Sequence, residues 1–200
     1  MNQLDAFRRL RSLAVGISLL GVAIATSLSV AAGAADSAKH QERLRLAEEP
    51  KNVEQLLAVQ KAFVAGKSKK DAPQTRDVVI TGQIGGMPNI WPQLHPTFPW
   101  YDGQASFFLV DSKIAAQFET HAKQHGGASH NCAFCQALAE KNANAIAVVS
   151  FVDEKGEIIR TDARELLGLK ENQTVVIRGK ARLLGGAMLV VDADGIFTSR

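Results

Sequence analysis

Both cysteines and three of the five histidines of this 200-residue chain fall within fifteen residues, His121-Ala-Lys-Gln-His125-Gly-Gly-Ala-Ser-His130-Asn-Cys132-Ala-Phe-Cys135. Cys-x-x-Cys brings two thiols close enough to hold one metal ion or to close one disulfide. Imidazole and thiolate together make a complete ligand set for zinc or copper. His121 and His125 stand four residues apart on an expected helix and therefore share a face. His130 follows the helix end, two residues before Cys132. A tetrahedral site of Cys132, Cys135, His130 and one of His121 or His125 is the leading expectation. A Cys132–Cys135 disulfide is the direct competitor, because an even cysteine count outside the cytosol reads as a bridge. Thiol–disulfide exchange at Cys132 is a third reading, since neighbouring imidazolium groups lower a thiol pKa. Covalent haem attachment needs Cys-x-x-Cys-His, and the residue after Cys135 is Gln136.

A second unusual run is Met87-Pro-Asn-Ile-Trp91-Pro-Gln-Leu-His95-Pro-Thr-Phe98-Pro-Trp100-Tyr101-Asp-Gly103. It holds four of the six prolines, both tryptophans and the only tyrosine. Prolines stiffen such a loop, and Trp91, Trp100 and Tyr101 offer ring faces on which a base or a sugar could stack. His95 would be a further ligand if this loop folds against the cysteine segment. The structural alternative is that the loop covers the mouth of the domain and buries its rings as a minor core.

Catalytic signatures are missing elsewhere. The sequence holds no Ser-His-Asp order, no phosphate-binding glycine loop and no H-E-x-x-H. Asp111, Asp153, Asp192 and Asp194 form no carboxylate pair at helical or strand spacing and fit turn roles. No catalytic residue is assigned, and an enzyme is not the favoured class.

These residues must be positioned by a mainly β chain. Asn52 to Gly66 carries Val53, Leu56, Leu57, Val59, Ala62 and Phe63 at helical spacing, with Asn52 as cap and Gly66 as stop. A polar linker, Lys67 to Thr75, follows. Asp77–Ile84 alternates like a strand and breaks at Gly85-Gly86. Ala105–Val110 is a second strand, and Lys113–His125 an amphipathic helix ended by Gly126-Gly127. Phe134–Asn142 reads as another helix, and Ala145–Val152 as a strand turned by Asp153–Gly156 into Glu157–Arg160. Thr161–Leu167 is a short helix capped by Thr161. Thr174–Leu183 and Ala187–Asp192 are strands joined at Leu184-Gly185-Gly186.

The order is strand, strand, strand, short helix, strand, strand. Thr174-Val-Val-Ile-Arg-Gly-Lys-Ala-Arg-Leu-Leu-Gly-Gly-Ala-Met-Leu-Val-Val-Asp192 resembles the closing hairpin of the oligonucleotide/oligosaccharide-binding (OB) barrel. Val78-Val-Ile-Thr-Gly-Gln-Ile-Gly85 resembles its first strand. The resemblance covers residues 77–198 and extends to exported bacterial barrels with a cysteine-containing insertion between strands 2 and 3. It implies a five-stranded OB-like barrel with an N-terminal helix and an inserted helix-loop, and carries no defined activity. Barrels of this class commonly bind single-stranded nucleic acid or glycans, which makes a ligand-binding module with a structural disulfide the alternative function.

The N-terminus reads as a targeting segment. Arg8, Arg9 and Arg11 precede an apolar stretch from Leu13 to Ala32, and Ala32-Gly33-Ala34 offers an A-x-A cleavage pattern. Its length of about twenty residues also suits a retained membrane anchor. The expected organisation is therefore a signal over 1–34, a helical extension and linker over 35–76, and the barrel over 77–200. Residues 1–34 carry three Arg against one Asp, so only +1 of the chain's formal +3 remains in the 166 residues that follow. That near-neutral balance disfavours nucleic acid as a partner. The expected partners are a metal ion, and a small or oligomeric ligand at the aromatic loop. The expected location is the periplasm or cell envelope, with membrane contact only through an uncleaved N-terminus.

Overall fold

The computed structural model of the chain describes residues 36–66, 75–124 and 132–198. The expected signal segment and most of the expected linker lie outside them. The elements are α1 (described over residues 36–44), β1 (Glu54–Gln55), α2 (Leu56–Gly66), β2 (Arg76–Ile84), β3 (Trp100–Tyr101) and β4 (Ser106–Val110). After these come α3 (Ser112–Gln124), α4 (Ala133–Lys141), β5 (Ile146–Phe151), α5 (Ala163–Leu167), β6 (Thr174–Leu184) and β7 (Met188–Phe197). Among the described residues no helix is long and apolar enough to cross a membrane.

Five strands close into a barrel. β2 pairs with β6, β6 with β7, β7 with β5, β5 with β4, and β4 returns to β2. All contacts are antiparallel except β5–β7. Two short strands lie outside the ring: β1 runs parallel to β2, and β3 pairs with β4. Closure removes the open edges that would otherwise leave backbone donors and acceptors unpaired.

β2 shows the half-buried alternation expected of a barrel wall, with Val78, Ile80 and Ile84 turned inward. β4 does not alternate; all five of its residues are buried. The reason is that both of its faces are covered. Phe107 and Leu109 point into the barrel, while Phe108 and Val110 enter a second apolar cluster with Met87, Ile114, Ala115, Phe118 and Ala139. β5 divides in the same way: Ala147, Val149 and Phe151 face the barrel, and Ile146 and Val148 the second cluster. The inserted helices α3 and α4 sit on this outer face of the wall. The N-terminal segment belongs to the barrel core, for Leu44, Leu56, Val59 and Phe63 are buried with the inward strand residues.

Several local expectations shift. Helix α2 begins at Leu56, not Asn52; Asn52 has a left-handed φ of 61°, and Glu54–Gln55 are drawn out as a strand by pairing with Ile80 and Thr81. The cap of α5 is Asp162, whose carboxylate accepts the Arg164 N–H at 2.8 Å, so Thr161 lies one residue outside the helix. Glu157–Arg160 forms no regular strand but does turn back, through an isolated bridge between Val152 and Ile158 and backbone bonds from Asp153 to Glu157 and from Ile159 to Phe151. β7 runs on to Phe197, and Asp192 and Asp194 stand within it, paired with Arg182 and Arg178 at 2.8 and 2.6 Å. Asp153 keeps its turn role, accepting the N–H groups of Lys155 and Glu157.

The closing seam is tight. Where β2 passes β4, a Cβ on Gly82 would lie 2.6 Å from the Val110 carbonyl oxygen and 2.7 Å from the Leu109 side chain. A second close passage is Gly179, at the β6–β7 register shift, where a Cβ would lie 2.4 Å from the Asp192 carbonyl oxygen. Only glycine fits either position without moving backbone. Gly82→Ala is expected to cost about 1–3 kcal/mol of stability, as overpacked cores do. Urea denaturation of both proteins checks this, with an unchanged midpoint as the contrary result.

Candidate metal centre

The site is built by the two inserted helices. His121 occupies the last turn of α3, and Cys132 is the N-cap of α4 with Cys135 in its first turn. α3 is oriented by Asp111 at the end of β4. This carboxylate is 1 % exposed and serves two helices at once. One oxygen accepts the Lys113 N–H of α3 at 3.0 Å, and the other accepts the Leu57 N–H of α2 at 3.1 Å. Its own N–H donates to the Ala145 carbonyl just before β5. Ile114, Ala115 and Phe118 then pin α3 to the second core, and Ala139, Leu138 and Cys135 pin α4 to the same cluster.

This places the Cys135 sulfur 3.4 Å from His121 Nδ1. The ligand atoms of His121, Cys132 and Cys135 all lie within 4.8 Å of one another. Tetrahedral zinc with ordinary bond lengths puts bound sulfur and nitrogen about 3.6 Å apart, so the group lies near metal-binding geometry. The two cysteines are unbridged and half-buried. His121 is stacked on Phe134, with ring centroids 5.1 Å apart and planes at 23°. Phe134 lies between the cysteines and is otherwise exposed, at 61 %. The stack fixes the imidazole plane beside the two sulfurs.

The two thiols are not equivalent. The Cys132 sulfur accepts from the Cys135 side chain and from the Cys135 backbone N–H at 3.1 Å, and these bonds hold its pKa below that of an ordinary thiol. The amino-terminal end of α4 adds its positive dipole end to the same sulfur. Cys135 is raised, first because its thiol donates to Cys132, then by desolvation and the nearby negative charge.

His125 and His130 lie outside the described residues. His95 stands apart from the cysteine group. Its ring contacts Trp91, Tyr101 and Phe108 at centroid distances of 6.2, 5.2 and 4.9 Å. Trp91 and Tyr101 pack on the second core around the fully buried Phe108. Burial also raises the Tyr101 pKa. Trp100 turns the other way, into the barrel core at 7 % exposure, with the Arg164 guanidinium over its ring at 5.5 Å. The loop does reach the cysteine segment, through a Gln136 side-chain bond to the Asn89 carbonyl at 3.4 Å.

Two contributors escaped the sequence reading. Asp111 reads as a turn residue, yet it anchors both helices from a buried position. The signal available was its place between a fully apolar strand and an amphipathic helix, the position of an N-cap. Phe134 stands inside the Cys-x-x-Cys motif with nothing in the spacing to mark it.

Two outcomes follow. Asp111→Asn leaves one helix N–H facing an amide nitrogen and is expected to lower stability by about 2–3 kcal/mol, read by chemical denaturation. With a lowered pKa, Cys132 holds more thiolate near neutrality, so iodoacetamide should label it ahead of Cys135. Peptide mapping of partly alkylated protein checks the order.

Comparison with protein-family models, with curated proteins and with solved structures finds no match to this chain.

Proposed function

We propose that this is an exported metal-binding protein of the cell envelope, holding one zinc or copper ion on an insertion of an OB-like barrel. The observation that carries the reading is the convergence of the Cys132 and Cys135 sulfurs and a ring nitrogen of His121 within 4.8 Å, with Nδ1 3.4 Å from the Cys135 sulfur. Two thiolates and an imidazole suit zinc and copper and are poorly suited to magnesium or calcium, which take oxygen ligands. Coordination through Nδ1 places the imidazole proton on Nε2. The fourth ligand would come from His125 or His130, on the segment that joins the two helices. Metal binding would displace the protons of both thiols, so affinity would fall in acid.

The finer fold assignment is supported by the strand connections. In chain order the barrel strands are β2, β4, β5, β6 and β7, and their order around the ring is first, second, third, fifth, fourth. One short helix, α5, stands between the third and fourth. Export is supported by Arg8, Arg9 and Arg11, the apolar stretch behind them, and Ala32-Gly33-Ala34.

The test is metal analysis together with a thiol count on the exported protein, purified from the periplasm without chelators or affinity tags. About one equivalent of zinc or copper is expected, lost in His121→Ala and in Cys132→Ser while the barrel stays folded. Protein that carries neither metal nor free thiols, and that takes up neither zinc nor copper once reduced, would overturn the reading and make the pair a structural disulfide.

A further inference from the structure

The same two sulfurs are arranged for a second chemistry. They stand within 4.8 Å of each other, three residues apart at the start of α4. Residues at that spacing are neighbours on a helix, within bridging reach for a disulfide. Their surroundings differ. Cys132 is the cap residue, with extended backbone at φ −77° and ψ 104°, outside the helical turn. Cys135 is inside the turn, with its side chain packed against the second core. Both cysteines are half-buried, but Cys132 is not part of that cluster.

We propose that Cys132 and Cys135 undergo thiol–disulfide exchange with small-molecule disulfides, Cys132 attacking and Cys135 resolving. In the first step the Cys132 thiolate forms a bond to one sulfur of RS–SR, the S–S bond breaks, and RS⁻ leaves to take up a proton. In the second, the Cys135 thiolate attacks the Cys132 sulfur and expels the second RS⁻, which is protonated in turn. The net change oxidises two protein thiols to one disulfide and reduces RSSR to two RSH. From the metal-loaded site the same reaction consumes two protons from solvent and releases the ion. That release rests on the metal reading above; the exchange itself does not. The site would then hold either a metal ion or a disulfide, chosen by the disulfide content of the compartment.

The experiment follows the purified exported protein, reduced and metal-free, against oxidised glutathione by mass spectrometry. Wild type is expected to lose two thiols and gain an internal disulfide with no lasting adduct. Cys135→Ser is expected to stop at one glutathione on Cys132. Cys132→Ser is expected to react at least tenfold more slowly. A wild type that keeps both thiols overturns the proposal, and so does equal or faster reaction at Cys135. A parallel run on protein loaded with zinc alone, with released zinc read by a chromogenic chelator, separates the two readings. Zinc that binds while the thiols stay inert sinks the exchange and leaves the metal site standing. Exchange in a protein that takes up neither zinc nor, in a matching run, copper does the reverse. Stoichiometric zinc release with disulfide formation supports both.

Discussion

The Asp111 carboxylate is the joint on which the arrangement depends. It sits at the end of a barrel strand, with almost no exposure, and each of its oxygens accepts a backbone N–H from a different helix. Helix starts leave donors without intrahelical partners, and a buried start without an acceptor is costly. One side chain meets that need for α2, which packs into the barrel core, and for α3, which packs on the outer wall. The direction in which α3 leaves the barrel, and with it the position of His121 one helix-length away, follows from this shared cap.

The second constraint is the two-sided wall. β4 and β5 are covered on both faces, which is why Ser106–Val110 is buried throughout and does not alternate like β2. A continuous apolar strand needs a second layer, and here α3, α4 and the proline-rich loop supply it. Phe108 is the centre of that layer, with Trp91, His95, Phe98 and Tyr101 all in ring contact with it. The aromatic loop is thus part of what holds the insertion against the barrel, and Gln136 links it directly to α4.

Much of this was legible in the residues, and the parts that were not share a physical cause. Strands β2, β4, β5 and β6 and helices α3 and α4 came within a residue or two of their bounds, because period and glycine punctuation are local signals. What failed depended on distant partners. Glu54 and Gln55 read as the first turn of a helix until the edge of β2 pairs with them. Asp192 and Asp194 read as turn residues because their arginine partners lie ten and sixteen positions earlier, on β6. Asp111 read only as a turn residue, and the bond that makes it a joint goes to Leu57, 54 residues away. Within the site, the Cys-x-x-Cys spacing and the histidine clustering marked the place. That His121 stands beside the sulfurs depends on how two helices cross, which spacing does not specify.

The geometry also separates what a metal ion and a disulfide would do to the protein. Cys132 and Cys135 are already neighbours in one turn, so a bond between them closes a very short loop. Short loops lose little entropy in the unfolded chain, and such a bond adds little to stability. A metal ion held also by His121 joins the end of α3 to the start of α4, across the segment between them, and closes a longer loop. It therefore restrains the insertion as a unit, whereas the disulfide rigidifies only the start of α4. Both helices rest on the outer core and not in the barrel interior, and the barrel closes through its own strand pairing. Exchange of one state for the other would accordingly tighten or loosen the α3–α4 lobe while the barrel that carries it stays the same.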